Sequence, residues 1–344
     1  MSRLVGEPMV MACKQLLKKG LIRSGCLTLA QKWKGPRALI LRYHSVQERP
    51  DDYANAIGRG IIHSAAAFAA QMEWLARNYE PTTMDEITAG LRGERAIPAR
   101  GVAISFDDGY ADNFTIARPI LERLGMRGAF YITVDCIAPP KMPWFCHLRH
   151  AFAHTRRQTW DGPLGEQTFQ LDDPRQRRQA FLAASTSCAR RVGSGQQALL
   201  ERIERDLEVE PLAPAEPLMM SWEQIRELHR RGHVVGSHTM SHPNLTYVTA
   251  DEMGQEFREA KRRLEESLGS PIRHFSYPSP ILQPHWNEQT VACCREAGYQ
   301  TAVTCTPGTV CSADAPLSLR RTSAPEDLDE FKWSVQCAFL GRYV

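Results

Sequence analysis

The chain has 344 residues, 43% of them hydrophobic and 24% charged, which suits a globular protein of one large domain or two. A net charge of +3 is too small to point to nucleic acid as a partner. No apolar run reaches the length of a membrane-spanning helix, and the ten cysteines match neither a disulfide framework nor a cysteine-based zinc site. They read best as small hydrophobes in a reducing compartment, so the expected location is the cytoplasm.

Residues 1–37 begin MSRLVGEPMVMACKQLLKKGLIRSGCLTLA, where lysines and arginines interrupt any apolar signal core. They are expected to form an N-terminal helical extension, either packed on the protein or lying as a cationic amphipathic helix in peripheral contact with a membrane. Residues 38–138 carry predicted strands at 38–46, 101–108 and 127–133 and predicted helices at 64–79 and 111–125. Residues 139–217 break this rhythm. They open with PPKMPWF, continue through arginine-rich helical pieces to EVEPLAPAEP, and are too long for a connection, so a helical insertion or lid is expected. Residues 218–344 return to strands at 233–239, 272–278, 300–306 and 317–323, with helices at 221–232, 249–269 and 287–298. Ser221 and Gln224 can form a capping box, and Gly232, Gly269 and Gly298 stand where helices should end. Strand followed by helix, repeated, predicts an α/β protein of parallel strands with right-handed crossovers.

Unusual residues collect at the predicted strand endings Tyr43-His44, Asp107-Asp108, His238 with His242, and Tyr277-Pro278. In a parallel barrel such C-terminal ends converge on one mouth. In GSHTMSH, His238 and His242 are four residues apart, and a helical turn there would face both imidazoles the same way. With a carboxylate they make a suitable zinc donor set. In ISFDDGY the adjacent aspartates point in different directions, so one can ligate an ion while the other stays free as a base. The residues alone do not assign the two roles, and without the histidines the DDG run reads as a solvated turn.

The pattern resembles the metal-dependent polysaccharide deacetylases, a carbohydrate esterase family that includes chitin, chitooligosaccharide and peptidoglycan deacetylases. Ser105–Gly109 match the family's Thr/Ser-Phe-Asp-Asp-Gly motif, and His238–His242 match its His-Ser/Thr-x-x-His motif. The resemblance spans most of residues 38–340 outside the insertion. It implies a distorted (β/α)7 barrel with a helical insertion, and a hydrolase that removes N-acetyl groups from amino sugars with metal-activated water. It further implies Asp107 as catalytic base and Asp108, His238 and His242 as ligands of a divalent metal, with zinc the expected ion. By similarity to the family's Pro-Tyr-Gly motif, the backbone N–H of Ser279 is the expected oxyanion donor. Tyr277 and Pro278 of that motif are expected to meet the substrate.

The run Phe275-Ser-Tyr-Pro-Ser-Pro280 departs from the common pattern and resembles an exopolysaccharide-type variant. Ser276 stands where many relatives have an arginine that braces the catalytic aspartate. Pro280 replaces the usual glycine and restricts the loop. Many relatives place an acid histidine near the last strand, whereas no histidine follows His285 here. The Tyr43-His44 pair resembles the Tyr-His start of exopolysaccharide-type deacetylases, which implies His44 as the acid, and a pKa of about 6.5 suits proton donation; His285 is the reserve. Arg320 is expected to bind substrate or brace an aspartate, and Tyr110 and Trp144 to stack on sugar rings. The expected partner is an N-acetylated glycan or a lipid-linked or nucleotide-linked amino sugar. Two other readings stay open: a catalytically degenerate glycan-binding protein on the same scaffold, and a deacylase of a non-sugar acyl amide.

Overall fold

Six strands rich in apolar residues lie parallel to one another: β1 (Ala38–Tyr43), β2 (Gly101–Phe106), β3 (Gly128–Ile132), β4 (Val234–Ser237), β5 (His274–Ser276) and β6 (Thr301–Val303). Their order across the sheet is β6-β5-β4-β3-β2-β1. A seventh, β7 (Thr322–Ser323), pairs parallel with β1, and Leu319 just before it bridges Val303 of β6. The sheet thus curls round on itself as a distorted (β/α)7 barrel. The predicted strand at 317–323 is shorter than expected because Pro316 starts a 3-10 turn over Pro316–Ser318. The computed structural model describes residues 18–22, 24, 26–31, 34–50, 57–137, 142–165, 167–213 and 217–343. Residues 1–17 of the expected N-terminal helix lie outside the described residues. Among the described residues, no helix is long and apolar enough to cross a membrane.

Burial on both faces explains why the strands read as apolar runs rather than alternating ones. Ala38 and Ile40 of β1 share one cluster with Ala103, Ala129, Tyr131 and Val234. Leu39, Leu41 and Tyr43, on the other face of the same strand, pack with Ile104, Phe106 and the helices. Helix α1 (Ala65–Asn78) starts at Ser64, whose hydroxyl accepts from Ala67 N–H. It buries Phe68, Met72 and Leu75 on one stripe, each contributing about 2–3 kcal/mol. The predicted helix at 111–125 is instead a wide π-helical turn, Asn113–Ala117, running into Arg118–Arg123. Pro119 has no N–H to offer an α-ladder at that junction.

The segment between β3 and β4 forms three helices, α2 (Trp144–His154), α3 (Pro174–Ala189) and α4 (Gly193–Asp206). A small antiparallel ladder of Thr159–Trp160 with Phe169–Gln170 joins them. Trp144, Phe152, Trp160, Ala180, Leu200 and Ile203 share an apolar cluster distinct from those of the barrel. Two more helices matter for the site. Helix α5 (Trp222–Arg230) begins with the predicted Ser221–Gln224 capping box. Helix α6 (Ala250–Leu268) begins with a Thr249–Glu252 box and ends at left-handed Gly269.

Candidate active site

At the end of β2 the chain turns sharply. Asp107 N–H still donates to Tyr43 O of β1 at 3.1 Å, but Asp108 and Gly109 both adopt positive φ, 74° and 90°. A left-handed backbone at a non-glycine residue is strained and is held only where the surroundings fix it. The turn sends the two carboxylates into different company.

Asp107 is buried against Arg321, which grips it with two parallel hydrogen bonds of 2.8 and 2.7 Å. Ser276 Oγ donates to Asp107 at 3.1 Å and accepts from Arg321 at 2.9 Å, while Arg321 Nε donates to Thr304 O at 3.0 Å. Burial by itself would raise the Asp107 pKa. The Arg321 charge, aided by His238, outweighs burial and holds the carboxyl well below the usual range. The brace that Ser276 cannot provide thus comes from the far end of the chain. It does not come from Arg320, the predicted residue. Arg320 is exposed, folds its stem over Gly308 and does not line the cleft, because adjacent residues of an extended segment face opposite sides.

Asp108 faces His238 and His242. Both Nε2 atoms lie 3.5 Å from its Oδ1. His238 Nδ1 is 2.7 Å from Ser276 O, an atom that can only accept, so Nδ1 carries the proton and Nε2 presents its lone pair. Burial, with neighbouring His238, pushes the His242 imidazole down to about 4. Asp108 Oδ1 is buried with no hydrogen-bond partner among the described residues. The donor atoms of the three side chains lie within 4.8 Å of one another. Donors about 2.0–2.1 Å from a tetrahedral zinc ion stand about 3.4 Å apart, so the set fits such an ion. An orphaned buried carboxylate oxygen facing the Nε2 atoms of two imidazoles is otherwise hard to account for.

The predicted helical turn between the histidines is absent. Residues 239–242 form a loop in which Thr239 (φ 70°) and His242 (φ 58°) are left-handed. His242 N–H donates to Thr239 Oγ1 at 3.0 Å. Glu256 of α6 holds the rest: its carboxylate accepts from Met240 N–H, Ser241 N–H and Ser241 Oγ at 2.8, 3.0 and 2.7 Å. Close backbone approach sets the strand before the loop. A Cβ at Gly236 would sit 2.5 Å from the Tyr131 ring and 2.9 Å from His274 O.

These groups open on a cleft of about 230 Å³. His44 lines it, and burial pushes its imidazole down to about 4 rather than leaving it near its ordinary value. Asn113 Nδ2 holds the chain there with a 2.6 Å bond to His44 O. Ser279 also lines the cleft, and its N–H makes no hydrogen bond to any described residue. Trp144 lines it at 5% exposure, and its Nε1–H donates to His242 O at 3.1 Å, so it steadies a histidine as well as forming a wall. His285 stays outside the lining, with Gln283 as its neighbour.

Three predicted substrate contacts are placed elsewhere. Tyr110 is fully buried, bridges Met219 and belongs to the apolar cluster of the insertion, so no sugar ring can reach its face. Tyr277 is buried too, and its hydroxyl donates to Leu317 O at 3.0 Å. Pro278 is buried and does not line the cleft. Both aromatics follow polar motif residues, but the chain turns them into the core. Residues that sequence reasoning missed are Arg321, Glu256 and two members of the insertion wall, Arg149 and Ser185. Only Glu256 left a local trace: it is an acid amid the buried positions Met253, Phe257, Ala260 and Leu264 of an amphipathic helix.

A polysaccharide deacetylase family profile matches residues 193–302, a stretch that includes His238 and His242. This part of the chain is similar to the polysaccharide deacetylases. The chain is similar to the putative polysaccharide deacetylase YxkH of Bacillus subtilis (strain 168), 21% identical over 283 residues, 82% of this chain and 69% of that one. It is 29% identical over 97 residues to the poly-beta-1,6-N-acetyl-D-glucosamine N-deacetylase of Escherichia coli (strain K12), 28% of this chain but 14% of that enzyme. The solved structure of the Streptococcus pyogenes deacetylase PplD in complex with acetate superposes with a TM-score of 0.56 at 17% identity. That match covers 86% of this chain and 96% of PplD, and it shows the shared fold.

Proposed function

We propose that this chain is a metal-dependent N-deacetylase of amino-sugar residues in a glycan or glycan precursor. The observation that carries the reading is the buried, unpartnered Asp108 oxygen between His238 and His242, beside the independently braced Asp107. The poly-N-acetylglucosamine deacetylase among the relatives supports the acetyl amide as the bond attacked.

A divalent ion held by Asp108, His238 and His242 would supply Lewis-acid polarisation of the acetyl carbonyl and activation of water. Asp107 is the base that takes the water's proton, and Arg321 with Ser276 fixes its direction. Ser279 N–H, which has no other acceptor, is available to the carbonyl oxygen as negative charge develops there. The departing nitrogen needs a proton. His44 is neutral at pH 7, so it must first receive the proton that it then delivers. The products are acetate and the free amine.

The test is acetate release from metal-loaded protein across N-acetylglucosamine oligomers, lipid-linked and nucleotide-linked N-acetyl sugars, with Asp107→Asn alongside. The expected result is release from one class, reduced about 100- to 10,000-fold in the variant. Release that Asp107→Asn leaves untouched, or none from any class by protein with metal bound, would overturn the reading.

A further inference from the structure

The cleft has a second wall, and its polar groups are not used by the chemistry above. Arg149 of α2 and Ser185 of α3 both line it, and both come from the insertion. Arg149 Nη1 is buried with no hydrogen-bond partner, and among the described residues no carboxylate pairs with this guanidinium. Ser185 is 3% exposed, and its hydroxyl is likewise buried and unpartnered. Arg42, the other arginine in the lining, is by contrast engaged by Ser323 and Cys305.

The position of Arg149 is built into the fold. Its guanidinium lies 5.3 Å from the Phe145 ring, and that ring stands 5.0 Å from the ring of His242. On its other side is Gly58, with φ of 103°, where a Cβ would come within 3.0 Å of Arg149 Nε. The glycine leaves room for the guanidinium, and one phenyl ring separates it from the histidines. A partly buried cation with no counter-charge among the described residues is costly, and the hydroxyl beside the same cleft adds a further donor unmet by them.

We propose that Arg149 and Ser185 form a subsite for an anionic oxygen group carried by the acetylated sugar, either a carboxylate or a phosphate ester. The proposal rests on the deacetylase reading for its substrate. A planar guanidinium matches either oxyanion with paired N–H donors, and the Ser185 hydroxyl supplies one more. The separation across Phe145 is comparable with a single sugar and its substituent, so one ring can present its acetamide to Asp107 and its charge to Arg149.

The experiment titrates metal-loaded protein by calorimetry with neutral N-acetylglucosamine, with N-acetylmuramic acid for the carboxylate and with N-acetylglucosamine 1-phosphate for the phosphate. Acetate release is followed in parallel. One anionic sugar is expected to bind at least about tenfold more tightly than the neutral one, and which one identifies the group. Arg149→Gln should abolish that ratio, and Ser185→Ala should reduce it. Arg149→Lys, which keeps the charge against Phe145, should keep part of it and guards against a variant that fails to fold. Equal affinity for all three sugars, no binding of either anionic sugar, or a ratio that survives Arg149→Gln overturns the proposal. Anion-selective binding without acetate release would uphold the subsite and sink the deacetylase reading. Acetate release without anion preference would do the reverse.

Discussion

The barrel wall and the insertion wall of the cleft are built on opposite terms. On the barrel side Asp107, Ser276 and Arg321 satisfy one another through a closed set of hydrogen bonds, and Glu256 gathers the donors of the histidine loop. On the insertion side Arg149 Nη1 and Ser185 Oγ are buried and unclaimed. Groups that must keep one geometry through a reaction are locked by their own neighbours. Groups that recognise what arrives are left with donors to give.

The strongest way to break the barrel side is Arg321→Ala. It would leave the Asp107 carboxylate buried without its counter-charge, and urea unfolding should show a loss of about 3–5 kcal/mol. A loss below about 1 kcal/mol would mean that the pair does not hold the mouth together.

Glu256→Ala should come next. It frees two backbone N–H groups and a hydroxyl inside the loop between the histidines, and it should lower stability by about 2–3 kcal/mol. On the proposed function, zinc affinity read by chelator competition should fall about 10- to 100-fold, since Glu256 would steady His238 and His242 without touching an ion held there. Unchanged affinity would show that the two left-handed residues hold the loop unaided.

The smallest effect concerns Asp112, just beyond the Asp-Asp-Gly turn. Desolvation pushes its carboxyl up to about 7, against hydrogen bonds from Ser45 and Asn113. A raised acid favours the protonated form in the fold. Its contribution is therefore complete below pH of about 4 and is lost as pH rises through about 7. Linkage sets a ceiling of about 4 kcal/mol. Because Asp112 is only half-buried, the natural protein should lose about 1–2 kcal/mol between those limits relative to Asp112→Asn, which mimics the protonated group. Parallel pH profiles for the two proteins would mean that the Asp112 carboxyl is not raised in the fold.

Sequence alone carried much of this. The Asp-Asp-Gly turn and the two histidines are each contiguous, so strand ends and donor types were readable before any contact was known. Capping at Ser221 and left-handed Gly232, Gly269 and Gly298 were equally local and stand where expected. Local reading failed where a side chain had two places to go. Tyr110 follows the motif directly, and nothing in ISFDDGY says that its ring turns into the insertion rather than the cleft. The helical turn drawn between His238 and His242 failed because Glu256 offered the loop donors a better partner than a helix would.

Residue type and short spacing, with the family resemblance that they carry, pointed to the barrel class, the base and ligand candidates and the missing late histidine, because each motif is written within a few neighbouring positions. Tertiary structure decided which arginine braces Asp107. Arg320 and Arg321 are indistinguishable as a sequence, yet the pleat turns one outward and brings the other across 214 residues to the Asp107 carboxylate. It also decided that Arg149 and Ser185 meet at one cleft. Both choices depend on register and packing between distant segments, which local chemistry does not encode.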